Sequence, residues 1–176
     1  PDMVLRLKTK GDKGHVMLAG FLGGVEFVPD SGVTQRIATQ GVNVSGALKV
    51  GIKDQLTAQV IYGPGIARYR FGTFAAPNAE GALTPITGMA VTLGYQHQWA
   101  REWTSFVVLN TGQDDPLSGQ RTTDSQLVTY GAVNLLWHFT PYAFVGVEYL
   151  HGRHELVGGD SGSADRLMMS LKMGLN

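Results

Sequence analysis

An all-β chain folded as a transmembrane, antiparallel, up-and-down β-barrel is what this sequence predicts. Three features predict it: apolar residues that recur with a period of two over long segments, connections that alternate between short and long, and aromatic residues gathered beside the short ones. The period is clearest between Gly41 and Lys53. Val42, Val44, Leu48, Val50 and Ile52 share one face there, and Asn43, Ser45, Lys49 and Lys53 share the other. The same sorting separates Met3, Leu5 and Leu7 from Arg6, Lys8 and Lys10, and Met89, Val91, Leu93 and Tyr95 from Thr92, Gln96 and Gln98. It returns at Leu167, Met169, Leu171, Met173 and Leu175 against Ser170 and Lys172.

Nine strands follow: Met3–Lys10, His15–Val28, Gln40–Ile52, Leu56–Phe71, Gly88–Ala100, Trp103–Thr111, Ser125–Phe139, Tyr142–Gly152 and Arg166–Leu175. Globular strands average about 5 to 6 residues, whereas a strand crossing a bilayer needs about 9 to 11. The connections begin with the tight Gly11-Asp12-Lys13-Gly14, followed by the long Pro29–Thr39. Lys53-Asp54-Gln55, Arg101-Glu102 and Thr140-Pro141 are also short, and Gly72–Thr87, Gly112–Asp124 and Arg153–Asp165 are long. Strict alternation puts every short turn at one end of a meander, as in outer-membrane barrels with short periplasmic turns. Trp99, Trp103, Trp137, Phe139 and Tyr142 flank short turns, while Tyr69 and Phe71 lead into a long loop; these are the expected interfacial girdles. A soluble sandwich would use shorter strands and Greek-key connections around an enclosed apolar core. In the barrel the apolar face meets lipid, the polar face lines water, and closure pairs every backbone donor.

Composition agrees. The chain has 176 residues, fourteen Lys plus Arg, fourteen Asp plus Glu, 43% apolar residues, 16% charged residues, 24 Gly and no Cys. A net charge of zero gives no electrostatic basis for binding nucleic acid. The absence of cysteine excludes disulfides and thiolate metal sites. No stretch approaches the roughly 20 apolar residues of a membrane helix, and Pro1-Asp2-Met3-Val4 lacks signal-peptide character, so an exported protein would be represented here by mature chain. The last strand leaves a long loop and the first leads into a short turn, so both run from the outer end inward. Bacterial barrels normally have an even strand count and periplasmic termini. Residues 1–176 are therefore expected to be a single barrel segment, the C-terminal part of a larger barrel, with an odd number of strands preceding Pro1. The apolar parity also places the next lipid-facing position at 177, where such barrels usually finish on an aromatic residue.

Four strings then carry a family resemblance: Gly14-His15-Val16-Met17-Leu18-Ala19-Gly20, Tyr62-Gly63-Pro64-Gly65-Ile66-Ala67-Arg68-Tyr69, Leu93-Gly94-Tyr95-Gln96-His97-Gln98-Trp99 and Val145-Gly146-Val147-Glu148-Tyr149-Leu150-His151-Gly152-Arg153. In order and spacing the chain resembles the C-terminal half of DcaP-like trimeric outer-membrane porins. The resemblance implies a 16-stranded barrel in a Gram-negative outer membrane, assembled as a homotrimer and passing small anionic solutes such as dicarboxylates by passive diffusion.

In a passive pore the chemistry lies in the charges that face water, since rings of Arg and Lys select anions. Arg6, Lys8 and Lys10 occupy successive inward positions, and Lys49, Arg166 and Lys172 also fall on polar faces. Arg68 and Arg70 follow Pro64-Gly65, where a bulge is expected to reset the facing; inward is favoured because a lipid-facing Arg at the midplane costs roughly 2 to 4 kcal/mol. Glu148 is the acid on the wall, with Glu26 a further candidate. The remaining acids, including Asp30, Asp114, Glu155 and Asp165, sit in or beside long loops. No cofactor, metal site or catalytic group is expected. Gly159-Asp160-Ser161-Gly162, with His151 and His154 nearby, has the composition of a hydrolase nucleophile loop, but that is also the composition of a flexible loop. His151 and His154, three apart on a strand, point to opposite faces and disfavour joint metal ligation. A barrel hydrolase or protease with a site at the rim, and a plugged structural barrel, are the competing functions.

Overall fold

Gly11 pairs with Gly14 around Asp12-Lys13, a two-residue hairpin that joins β1 (Met3–Gly11) to β2 (Gly14–Phe27) and starts an unbroken meander. The structure, a computed structural model, describes residues 2–28, 34–70 and 72–174. The strands that follow are β3 (Gln35–Val50), β4 (Asp54–Pro64), the three-residue β5 (Ala75–Pro77) and β6 (Leu83–Pro85), β7 (Thr87–Gln98), β8 (Trp103–Asp114), β9 (Ser125–Thr140), β10 (Ala143–Leu156) and β11 (Ser161–Met173). Nine of them form one antiparallel sheet in the order β1-β2-β3-β4-β7-β8-β9-β10-β11, while β5 and β6 make a separate small hairpin. The fold is all-β, nearest-neighbour and up-and-down, with β1 and β11 as open edges.

The register sorts the sheet into two chemically different faces. A single row of cross-strand partners reads Leu7, Leu18, Val44, Val60 and Val91. Another reads Leu48, Leu56, Tyr95, Val107, Val133, Tyr149 and Leu167. These rows are not a hidden core. Val44 is 47% exposed, Leu93 51%, Leu109 57% and Met169 78%. Across β8 to β10 the apolar positions are exposed, whereas the opposite face, with Phe106, Asn110, Ala132, Asn134 and Glu148, is half-buried. A curved sheet fans side chains apart on its convex side and crowds them on its concave side. The apolar face is therefore the convex one, as in a membrane barrel and opposite to a sandwich.

The apolar belt also crosses the register diagonally. It is centred between Leu18 and Gly20 on β2, whose partner rows end on β11 at Ser163 and Ser161. On β11 itself the belt centres between Met169 and Leu171. That offset is about eight residues, or roughly 27 Å along the strand, accumulated over about seven spacings of roughly 4.8 Å. A belt held level by a bilayer then requires strands inclined at about 39°, within the roughly 35–45° of known barrels.

Several expected boundaries move. The strand expected over Leu56–Phe71 ends at Pro64, because Gly65 adopts φ 77° and opens a 3-10 turn, Ile66–Tyr69. Instead of a bulge, the Pro64-Gly65 pair makes a corner. The expected long loop Arg153–Asp165 is shorter, since β10 and β11 continue in register to the pair Glu155–Ser161. Glu155 and Asp165 are thus strand residues, on the convex side. Glu26 lies opposite Arg36 on that same side, 2.8 Å away, and does not belong to the polar wall. Asp30, Phe71, Leu175 and Asn176 lie outside the described residues.

Candidate pore wall

The concave face is built from alternate residues of the nine strands, and its cations come from both edges. Arg6, Lys8 and Lys10 on β1 stand opposite Ala19, Met17 and His15 of β2. The row that begins at Lys10 passes through Ala47, Thr57, Gly94, Val108, Ala132 and Leu150 and ends at Arg166 of β11. Lys49 shares a row with Gln55, Gln96, Phe106, Asn134 and Glu148. Lys172 lies opposite Phe144 near the short-turn end. Between the cations the wall is mostly uncharged: Asn110 donates to Thr92 Oγ1 at 2.6 Å, and Asn134 donates to Glu148 Oε2 at 3.2 Å. None of Arg6, Lys8, Lys10, Lys49, Arg166 and Lys172 has an ion-pair partner among the described residues.

The connection after β4 folds back against this face. Ile66, fully buried, rests over Gly41, where any Cβ would come within 2.9 Å of Ile66 Cγ2 and 2.5 Å of the Phe21 ring. Tyr69 meets Phe21 edge to face at 4.6 Å. Asp2 accepts from Arg68 Nη1 at 3.1 Å and from Tyr69 Oη at 2.7 Å, and that hydrogen bond pushes the Tyr69 hydroxyl above the ordinary phenol range. Arg70 donates to the Gln113 carbonyl at 3.2 Å and pairs with the Asp114 carboxylate; burial draws its guanidinium below the usual arginine value. Side chains of Tyr69 and Arg70 close one side of a cavity of about 340 Å³, whose other side is wall residues Asn43, Gln59, Thr92 and Asn110. The Asn43 Oδ1 there is buried without a hydrogen-bond partner among the described residues.

Arg68 and Arg70 thus lie on the concave side, carried by a folded-in connection and already paired. Sequence reasoning missed Asp2, Asn43 and the wall-side position of Asp114. Only Asn43 carried a signal, its place on the polar side of the Gly41–Lys53 alternation.

At the short-turn end Trp99, Trp103, Trp137, Phe139 and Tyr142 are all exposed. Trp103 and Trp137 stack at 5.9 Å across the β8–β9 pair, and Phe139 follows at 5.6 Å from Trp137. The histidines near the Gly159–Gly162 string are engaged elsewhere: His154 Nε2 lies 2.9 Å from Ser125 Oγ and His151 Nδ1 2.8 Å from Asp165. Ser161 makes no hydrogen bond to a histidine among the described residues. Those residues also contain no cluster of three His, Asp or Glu side chains placed to hold a metal.

A two-faced, tilted meander with an apolar convex surface and a polar concave one is the architecture of a transmembrane β-barrel wall. Among solved structures the chain is similar to the crystal structure of the outer membrane channel DcaP of Acinetobacter baumannii, with a TM-score of 0.73 and 16% sequence identity over 97% of this chain. It spans 61% of that channel's length, and at this identity the likeness is one of fold. No model of a known protein family matches the chain, and no curated protein matches it.

Proposed function

We propose that the chain is part of an outer-membrane porin through which small hydrophilic solutes diffuse, anions in preference to cations. The observation that carries the proposal is that six concave-face cations, Arg6, Lys8, Lys10, Lys49, Arg166 and Lys172, have no ion-pair partner among the described residues. Against them the wall presents Glu148, while Asp114 is committed to Arg70. In a narrow aqueous path walled by protein, uncompensated positive charge raises the local anion concentration. The folded-in Arg68-Tyr69-Arg70 segment narrows that path on the same side. Closing the ring takes further strands between β1 and β11, consistent with a 16-stranded barrel. The resemblance of the four sequence strings to DcaP-like porins extends the proposal to dicarboxylates and to a homotrimer.

The test is the reversal potential of the closed channel containing this chain, measured in planar bilayers under a potassium chloride gradient. The expected sign is that of chloride preference. A channel that inserts, conducts and favours potassium overturns the proposed selectivity.

A further inference from the structure

Asp54 opens β4 on the convex face, directly paired with His97 of β7. Tyr95 donates its hydroxyl to Asp54 Oδ1 at 2.8 Å, and His97 Nδ1 lies 2.5 Å from the same oxygen. Asp54 Oδ2 has no hydrogen-bond partner among the described residues, and the side chain is 28% exposed. Trp99, itself 61% exposed, stands edge-on to His97 at 4.4 Å. The Lys53 ammonium reaches the Trp99 carbonyl at 3.5 Å. A cation and an anion with a spare oxygen therefore sit side by side within the aromatic girdle, at the depth where lipid head groups lie.

Toward the belt centre the face dips. Gly46 and Ala58, cross-strand partners, form a floor where neighbouring positions carry Val or Leu, and Leu48, Leu56, Leu93 and Tyr95 wall it. The cavity measures about 740 Å³, and Tyr95 belongs both to its wall and to the Asp54 cluster. Apolar hollow and charged rim are thus one continuous feature.

Resting on the lipid-facing assignment made above, we propose that this feature binds one phospholipid with a primary ammonium head group. The ammonium donates to Asp54 Oδ2, the phosphate faces Lys53, and one acyl chain lies over Gly46 and Ala58. A zwitterion matches two opposite charges held by consecutive residues, whereas a second copy of the chain would have to bury both against its own apolar belt. A second Tyr-His-Asp cluster, Tyr149, His151 and Asp165, stands on the convex face of β10 and β11 without an adjoining lysine or tryptophan, and it supplies a control.

The test is native mass spectrometry of the channel containing this chain, delipidated in detergent and titrated with phosphatidylethanolamine, phosphatidylcholine and phosphatidylglycerol of one acyl composition. The wild type is expected to retain one phosphatidylethanolamine with a roughly two- to fivefold preference over the other two, the size of a partly exposed charge pair. Asp54→Asn removes the preference, Asp165→Asn leaves it, and Ala58→Phe, which fills the hollow, lowers retention of all three. Equal retention of the three lipids by the wild type, or an unchanged preference in Asp54→Asn, overturns the proposal. Loss of oligomeric state in Ala58→Phe assigns the hollow to a second copy and overturns it as well. A protein that conducts in bilayers but shows no preference refutes the lipid site alone, and one that neither inserts nor conducts refutes the membrane assignment with it.

Discussion

Two sets of basic residues, one carried by the long connections and one by the concave wall, differ in what they hold. In the connections, Arg68, Arg70 and Arg121 each hold a carboxylate, that of Asp2, Asp114 or Asp124. On the concave wall, Arg6, Lys8, Lys10, Lys49, Arg166 and Lys172 hold none among the described residues. Strand backbone is already fixed by its ladder, so a wall cation has no structural duty, and on the porin reading proposed above its field remains available to a passing solute. The long connections have no such ladder, and Arg68, Arg70 and Arg121 act as fasteners there. On that reading the same residue type does mechanical work in one region and electrostatic work in the other.

The largest effect is expected where fastening is most buried. Arg70→Ala leaves the Asp114 carboxylate, 2% exposed, without its cation, which costs about 3–5 kcal/mol for a buried pair broken from one side. The expected outcome is release of the Ile66–Tyr69 segment from the wall, seen as a lower melting temperature and a larger single-channel conductance. Arg70→Ala with Asp114→Ala should recover part of the stability but not the narrow conductance. A single mutant with unchanged melting and conductance would place Arg70 among the wall cations instead. Next comes the β1 ladder. Arg6→Gln, Lys8→Gln and Lys10→Gln together should move the reversal potential most of the way toward no selectivity. Stability should hold within about 0.5 kcal/mol per site, as for exposed positions without partners. A triple mutant that melts early and keeps its selectivity would invert the comparison.

Much of this was legible in the sequence, for reasons that differ by region. The period-two rows, the order of the nine long strands and the exposed aromatic residues beside the short turns are local consequences of two chemically different faces, so each strand announces its own facing. Three features were not legible. Pro64-Gly65 announces a break but not its form: the corner exists because Thr39 occupies the space a side chain at Gly65 would need and Gly41 leaves room for Ile66, and both residues belong to a different strand. The extension of β10 and β11 to Glu155 and Ser161 hides behind polar residues, since beyond the belt a strand no longer needs an apolar face. Glu26 went to the wrong side for the same reason. Its alternation partner Arg36 is visible only in the cross-strand register, where two exposed charges satisfy each other at 2.8 Å.

That misplaced pair supplies the finest cut. Lys49 and Arg36 both lie on β3, both are exposed, and each contributes one positive charge, but Lys49 faces the concave side while Arg36 stands on the convex side against Glu26. Replacing either with Gln should change stability by no more than about 1 kcal/mol, because an exposed pair such as Arg36–Glu26 contributes little. Selectivity should separate them. Lys49→Gln is expected to shift the reversal potential by a fraction of the β1 triple change, and the shift should fade toward 1 M salt, where the screening length falls to about 3 Å. Arg36→Gln should produce no shift at any salt concentration, since its charge is neutralised by Glu26 and separated from the solute path by the sheet. Equal shifts from the two would mean that ions sense the net charge of the barrel rather than the face on which each charge stands, and the distinction between wall cations and fastened ones would then carry no functional weight.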